Sequence, residues 1–328
     1  MTVVLLGLFV NAEKISAQHG EPTDAELSIK KLQAAPGLSV ELYASEPLLK
    51  NPVAFSIDER GRFFIAETHR YKDSIFDITR QTNWLMNDLS FRTVDDRAAF
   101  LEKEFATNLA FLTKDSEIVR LVEDRDADGR AETSSIFADG FNKVTSGTAA
   151  GILARKGEVW FTSIPDLWKF TNDDLRFTNQ PARAADSTIR KSRIVNRELV
   201  ATGFGVHIGV SGHDLHGLAL GPDGKIYFSI GDRGFSVRTK EGKFLNHPDT
   251  GGVLRCNQDG SDLEVFAIGL RNPQELAFDQ YGNLFTADND TAGEDNSRFI
   301  HVVEGGDYGW RASYQFMDGY GPWVKEKV

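Results

Sequence analysis

Cysteine is nearly absent: of 328 residues only Cys256 carries a thiol. No internal disulfide can form. The residue sits in the run Val253-Leu254-Arg255-Cys256, where a lone thiol reads as a small core hydrophobe and not as a nucleophile. An excess of basic residues is also missing, since Asp and Glu outnumber Lys and Arg by 48 to 37 for a formal net charge of −11. Phosphate backbones are gripped by clustered cations, so nucleic acid is excluded as a partner. Long hydrophobic runs are lacking too. The stretch VVLLGLFV at 3–10 is too short to cross a bilayer, so no membrane span is expected in this chain. With Ile15-Ser16-Ala17 before Gln18 it reads as a signal peptide over 1–17, followed by a polar linker over 18–36. That places the protein outside the cytoplasm, periplasmic or extracellular.

What is present is a repeated phrase. Apolar residues make up 41% of the chain and 30 glycines are spread through it, which suits many short strands joined by tight turns. The phrase is a small-apolar strand, a polar turn ending in Gly, then a strand rich in aromatic and β-branched residues. Its copies are AFSIDERGRFFIAET (54–68), AGILARKGEVWFTS (150–163), LALGPDGKIYFSIGD (218–232) and LAFDQYGNLFTADN (276–289). Each predicts a hairpin turning at Gly61, Gly157, Gly224 or Gly282, where a residue of positive φ lets two antiparallel strands meet. Hairpins recurring at uneven spacing predict an all-β chain of β-propeller blades with long insertions, occupying 37–328. Loops on one rim of such a ring converge, so function belongs there. The spacing of Phe100, Leu101, Phe105, Leu109 and Leu112 predicts a helical insertion over 88–113, and 171–195 reads as a solvated insertion.

The densest polar cluster is GFGVHIGVSGHDLHGLALGPDG, which sets His207, His213, Asp214 and His216 just ahead of a blade hairpin. The spacing matches none of the standard zinc signatures. One histidine near neutral pKa in a cleft suffices for a general base, with its neighbours ordering the loop. A second signal is Asp124-Arg125-Asp126-Ala127-Asp128-Gly129-Arg130-Ala131-Glu132. Carboxylates at alternate positions with Gly at the sixth reproduce the start of a calcium loop, with Asp124, Asp126, Asp128 and Glu132 as the expected ligands.

The run His213 to Tyr227 through Gly221-Pro222-Asp223-Gly224, then Ile230-Gly231-Asp232, resembles the soluble quinoprotein glucose and aldose sugar dehydrogenases. So do Gly269-Leu270-Arg271-Asn272-Pro273-Gln274 and Gly305-Gly306-Asp307-Tyr308-Gly309-Trp310. Over Glu46 to Pro52, Ala66 to Arg70 and Ile164 to Trp168 the chain is more similar still to the planctomycete-type membrane-bound dehydrogenases. The resemblance implies a six-bladed propeller of the sugar dehydrogenase type, incomplete in this chain, with further blades expected beyond Val328. It implies pyrroloquinoline quinone and calcium as cofactors, a sugar or other alcohol as substrate, and a c-type cytochrome as electron acceptor. The haem motif Cys-x-x-Cys-His is not in this sequence. The family's catalytic histidine precedes the Gly-Pro-Asp-Gly turn at the distance that His213 does. By the same carry-over Arg271 steadies developing negative charge while Asn272 and Gln274 bind the quinone. An early-loop glutamine of the family has no counterpart near Thr148. Two other readings stay open: a binding or scaffolding propeller without catalysis, and a calcium-dependent lactonase-type hydrolase using Asp288, Asn289 and Asp290 with His213.

Overall fold

The computed structural model describes residues 24–172, 194–290 and 296–312. The expected signal peptide and most of the 171–195 insertion lie outside these residues. Within the expected linker, Asp24–Ile29 forms a short helix, α1. The rest is a β-propeller in which four blades are seen. The first is β1 (Pro52–Ile57), β2 (Phe63–Glu67), β3 (Glu117–Glu123) and β4 (Thr133–Phe141), and the second is β5 (Gly151–Arg155), β6 (Glu158–Ser163), β7 (Asp166–Asn172) and β8 (Ile194–Thr202). The third is made of β9 (Leu215–Leu220), β10 (Ile226–Ile230), β13 (Gly251–Cys256) and β14 (Glu264–Leu270). Its two middle strands are separated in sequence by a hairpin of β11 (Phe235–Arg238) and β12 (Phe244–His247). The fourth comprises β15 (Leu276–Phe278), β16 (Leu284–Asp288) and β17 (Arg298–Val302). A short β18 (Gly306–Asp307) then returns to pair in parallel with β14.

All four repeated phrases form the hairpins expected of them: β1–β2, β5–β6, β9–β10 and β15–β16 pair antiparallel. Their turn glycines have φ of 76, 86, 80 and 85°, values that would strain any residue with a Cβ. The first strand of each hairpin lies innermost, where β1 contacts β5, β5 contacts β9 and β9 contacts β15. The tight turns therefore occupy one rim, here the lower, and the loops leading into the inner strands occupy the upper.

Blade stacking follows from the two-residue period of a strand, which sends alternate side chains to opposite neighbours. On β6, Val159 and Phe161 join Phe64, Val119, Phe137 and Phe141 of the first blade, while Trp160 turns the other way to meet Phe228, Ile230 and Leu254 of the third. On β10, Ile226 and Phe228 face the second blade, and Tyr227 packs with Leu276, Leu284 and Ile300 of the fourth. Cys256 is fully buried in this stack, and burial pushes its thiol up to about 12, consistent with a packing role. The helical insertion falls between β2 and β3 and holds α2 (Leu85–Ser90) and α3 (Val94–Glu104). Thr93 and Asp96 close a capping box at the start of α3. Trp84, Phe91, Leu101 and Leu112 of the insertion bury against Val206 and Ile208 on the upper rim. No helix among the described residues is long and apolar enough to cross a membrane.

Candidate active site on the upper rim

His213 lies in the loop leading into β9 and is 3% exposed. Its Nδ1 is 2.7 Å from Oδ1 of Asp232, in the loop leaving β10. The hairpin register explains the pairing: Leu215 faces Ile230, so the next outward pair sets 213 opposite 232. Gly231 permits the approach, because a Cβ there would sit 2.7 Å from Cβ of His213. Burial would raise the pKa of Asp232, but the positive charge of His213 and Arg271 and the hydrogen bonds of His213 and Trp310 outweigh it and hold the carboxyl below its usual value. An ionised Asp232 only accepts, so Nδ1 carries a proton, and in the neutral ring Nε2 presents a lone pair. Among the described residues nothing hydrogen-bonds Nε2. A histidine so oriented is a competent general base, its imidazolium stabilised by the carboxylate behind it.

Asp232 gathers the other expected residues. Its Oδ2 accepts from Nε1 of Trp310 at 2.8 Å, and its backbone N–H donates to the carbonyl of Arg271 at 2.7 Å. The Arg271 guanidinium lies over the Trp310 ring, 5.4 Å from the centroid. The structure thus brings His213 and Arg271 to one rim and joins them through one residue, Asp232. Asp288, at the end of β16, fixes the loop that carries Arg271 and Asn272. It accepts from the Arg271 N–H at 3.0 Å, the Asn272 N–H at 2.6 Å and Nη2 of Arg298 at 2.8 Å. Two atoms of that loop are buried without a partner, Nη1 of Arg271 and Oδ1 of Asn272. Unmet buried donors and acceptors are costly, and a polar ligand that bonded these two atoms would relieve that cost. Gln274 is exposed on the same loop. Thr148 on the upper rim also has a buried Oγ1 without a partner.

The other two histidines do different work. Both nitrogens of His207 face acceptors, the Asp88 carbonyl at 2.7 Å and Asp249 Oδ1 at 3.2 Å. Burial opposes its charge, yet Asp249 and Asp88 outweigh this and raise its pKa, and its bond to the Asp88 carbonyl clasps the helical insertion. His216 is buried and shifted down by that burial, and its Nε2 lies 2.9 Å from the Gly212 carbonyl and 3.1 Å from the Asp214 nitrogen. Asp288 is 1% exposed and committed to the Arg271 loop, whereas Asn289 is exposed and donates to the Asp290 carbonyl.

Asp124, Asp126, Asp128 and Glu132 lie far along the chain from the base, in the β3–β4 connection. Their ligand oxygens fall within 4.8 Å of one another, and they are the one such group of at least three among the described residues. Asp124 accepts from the N–H groups of Ala127 and Gly129, and Glu132 accepts from that of Arg125. These bonds curl the loop so that the carboxylates face a common point, a hard-oxygen set of the kind that holds a divalent cation.

Asp232, Trp310 and Asp288 were not assigned these roles from sequence. The register of the β9–β10 hairpin, counted two residues outward, is the signal that finds Asp232. No comparable local count reaches Trp310 or the grip of Asp288.

Comparison with known proteins matches residues 24–308 to the family described as Domain of unknown function (DUF7133). Quinoprotein glucose dehydrogenase B of Acinetobacter calcoaceticus is 34% identical over 136 residues, which cover 33% of this chain and 28% of that protein. Among solved structures, a glucose dehydrogenase-type oxidoreductase of Thermus thermophilus is 17% identical with a TM-score of 0.43, covering 80% of this chain and 65% of its own. The PQQ-bound aldose sugar dehydrogenase of Streptomyces coelicolor is 19% identical with a TM-score of 0.41, covering 80% of this chain and 63% of its own. The chain therefore spans less than two thirds of each of these relatives.

Proposed function

The chain belongs to the DUF7133 family, and we propose that it is a quinone-dependent dehydrogenase that oxidises a sugar or other alcohol. The observation that carries this reading is the His213–Asp232 pair, with Nε2 of the histidine free, beside the unpartnered Nη1 of Arg271 and Oδ1 of Asn272. The partial identity to a quinoprotein glucose dehydrogenase supports it. The unmet polar atoms suit pyrroloquinoline quinone, whose carbonyl, carboxylate and pyrrole N–H groups would take them up, and Arg271, Asn272 and Gln274 would hold it. When bound, that cofactor supplies a two-electron acceptor for hydride.

His213 takes the substrate hydroxyl proton at Nε2 as the C–H bond is broken. Asp232 keeps the imidazole in the required tautomer and balances the positive charge that forms on it. Arg271, steered by the Trp310 ring and by Asp288, places its cation where negative charge develops on oxygen. Electrons leave to a c-type cytochrome, and the protein works in the periplasm or outside the cell. The loop of Asp124, Asp126, Asp128 and Glu132 binds calcium and braces the outer edge of the first blade.

Quinone binding tests the site apart from turnover. Absorbance titration should show saturable binding to the wild type and at least roughly tenfold weaker binding to Arg271→Ala, as expected when a buried charged contact is lost. Equal binding by both, or none by either, contradicts the assignment. Calcium added to chelator-treated protein should raise the melting temperature, and Asp126→Ala with Asp128→Ala should abolish the rise.

A further inference from the structure

Where the helical insertion meets the upper rim lies a small cavity. Its polar lining is Arg97, Arg233, Ser74 and Ser146, with apolar walls that include Leu101 and Ile208, and no carboxylate lines it. The space is about 10 Å³, room for a single water-sized body. Arg97, from the first turn of α3, is 4% exposed and makes one hydrogen bond, from Nη2 to the Thr145 carbonyl at 2.9 Å. Its Nε is buried with no partner.

The surrounding charges leave this arginine as the odd one out. Arg233 is 1% exposed and already paired, Nη1 to Oδ1 of Asp214 at 2.9 Å, with its other nitrogens donating to the Val210 and Phe76 carbonyls. Asp88 accepts from the Ile208 and Gly209 N–H groups and lies beside His207. Glu117 accepts from the Arg70 N–H. Asp214 and Asp88 lend Arg97 favourable charge, and Oδ2 of Asp214 is itself buried without a partner, but none of these carboxylates hydrogen-bonds Arg97 or lines the cavity, and a buried cation without a bonded counter-ion is costly. Burial, and next the neighbouring Arg233, push Arg97 down to about 9, which still leaves it charged at neutral pH. The hydroxyl of Ser146, itself buried, makes no hydrogen bond among the described residues, and that of Ser74 accepts from Arg70 while keeping its own proton to donate.

We propose that this cavity is a binding site for a monatomic anion, chloride, held between Arg97 and Arg233 with the hydroxyls of Ser146 and Ser74 as further donors. So small a space suits a monatomic ion better than phosphate, sulfate or a carboxylate. A water would satisfy the donors but would leave its own protons turned toward two cations. The ion gives Arg97 a bonded counter-ion inside the cavity and fastens α3 to the loops that carry Thr145 and Asp214, the latter adjacent to His213.

Thermal melting at fixed ionic strength tests this, with sodium chloride exchanged stepwise for sodium gluconate. The wild type should gain about 3–5 °C at roughly tenfold excess of chloride over its dissociation constant, saturably, and bromide should substitute. Arg97→Met, which keeps the length of the chain and removes the charge, should melt at one temperature in both salts. Because that variant alters a buried site, Ser146→Ala serves beside it and should require severalfold more chloride for the same gain. Crystals grown in bromide should show an anomalous peak between Arg97 and Arg233. A wild type that melts identically in chloride and gluconate, or a bromide peak absent from this cavity, overturns the proposal.

Discussion

The two rims of the propeller use the same residue type for opposite ends. On the lower rim the turn aspartates serve their own turns: Asp58 accepts from the Arg60 and Arg62 N–H groups, Asp223 from Lys225, and Asp279 from Tyr281 and Asn283, while Glu59 alone of these turn acids reaches the Lys156 N–H of the next blade. The aspartate bonds span two to four residues and close locally. On the upper rim the acids tie together loops distant in sequence. Glu117 accepts from the hydroxyl of Thr68 and the N–H groups of His69, Arg70 and Ala149, Asp232 joins His213 to Trp310, and Asp288 holds Arg271 and Asn272. Partnerless buried polar atoms accompany the second kind, at Thr148, Asp214, Arg271 and Asn272. A self-contained turn makes the scaffold, and a shared, incompletely satisfied network makes the site.

The contrast is broken most severely at Glu117. Glu117→Ala strips four donors of their acceptor and leaves the buried Arg70 without its nearest negative charge, so chemical denaturation should show a loss of about 3–5 kcal/mol. A loss below about 1 kcal/mol would mean that the upper rim is no more cooperative than the lower. Asp288→Ala should come next, near 1–3 kcal/mol from the orphaned N–H groups of Arg271 and Asn272, together with weakened quinone binding. If stability falls and quinone affinity does not, Asp288 shapes the blade but not the site.

Two upper-rim histidines should give the stability curve opposite slopes. His207 has a raised pKa when folded, so its contribution is complete below the ordinary value of about 6.5 and is lost as pH climbs through the raised one. His216 has a lowered pKa, so its contribution is complete above about 6.5 and is lost as pH falls through the lowered one. Melting curves across pH 5 to 9 should therefore show His207→Gln flattening the alkaline limb and His216→Gln the acid limb, with the reverse pattern counting against both assignments. The smallest effect belongs to the lower rim. Asp279→Ala should fall within the scatter of ordinary surface substitutions and leave quinone binding unchanged.

What could be read in the sequence follows the same division. Gly61, Gly157, Gly224 and Gly282 announced four hairpins because a positive-φ turn and the alternation of its flanking strands are local properties. Phe100, Leu101 and Leu112 likewise announced the helical insertion. His213, Arg271 and Asn272 were reached by resemblance, and the loop of Asp124 to Glu132 by carboxylate spacing. The grip of Asp288 on a loop that precedes its own hairpin and the reach of Trp310 to Asp232 depend on how blades stack, which no local pattern encodes. The same holds for the meeting of α3 with Arg233 across the insertion.

The central claim is that His213, oriented by Asp232, is the base for alcohol oxidation by a quinone. Alcohol-dependent dye reduction by protein supplied with pyrroloquinoline quinone and calcium tests it directly. The wild type should turn over, and His213→Ala and Asp232→Asn should each lose about 10²- to 10⁴-fold in kcat while still binding quinone. A His213→Ala variant that binds quinone and oxidises alcohols at the wild-type rate would contradict the account.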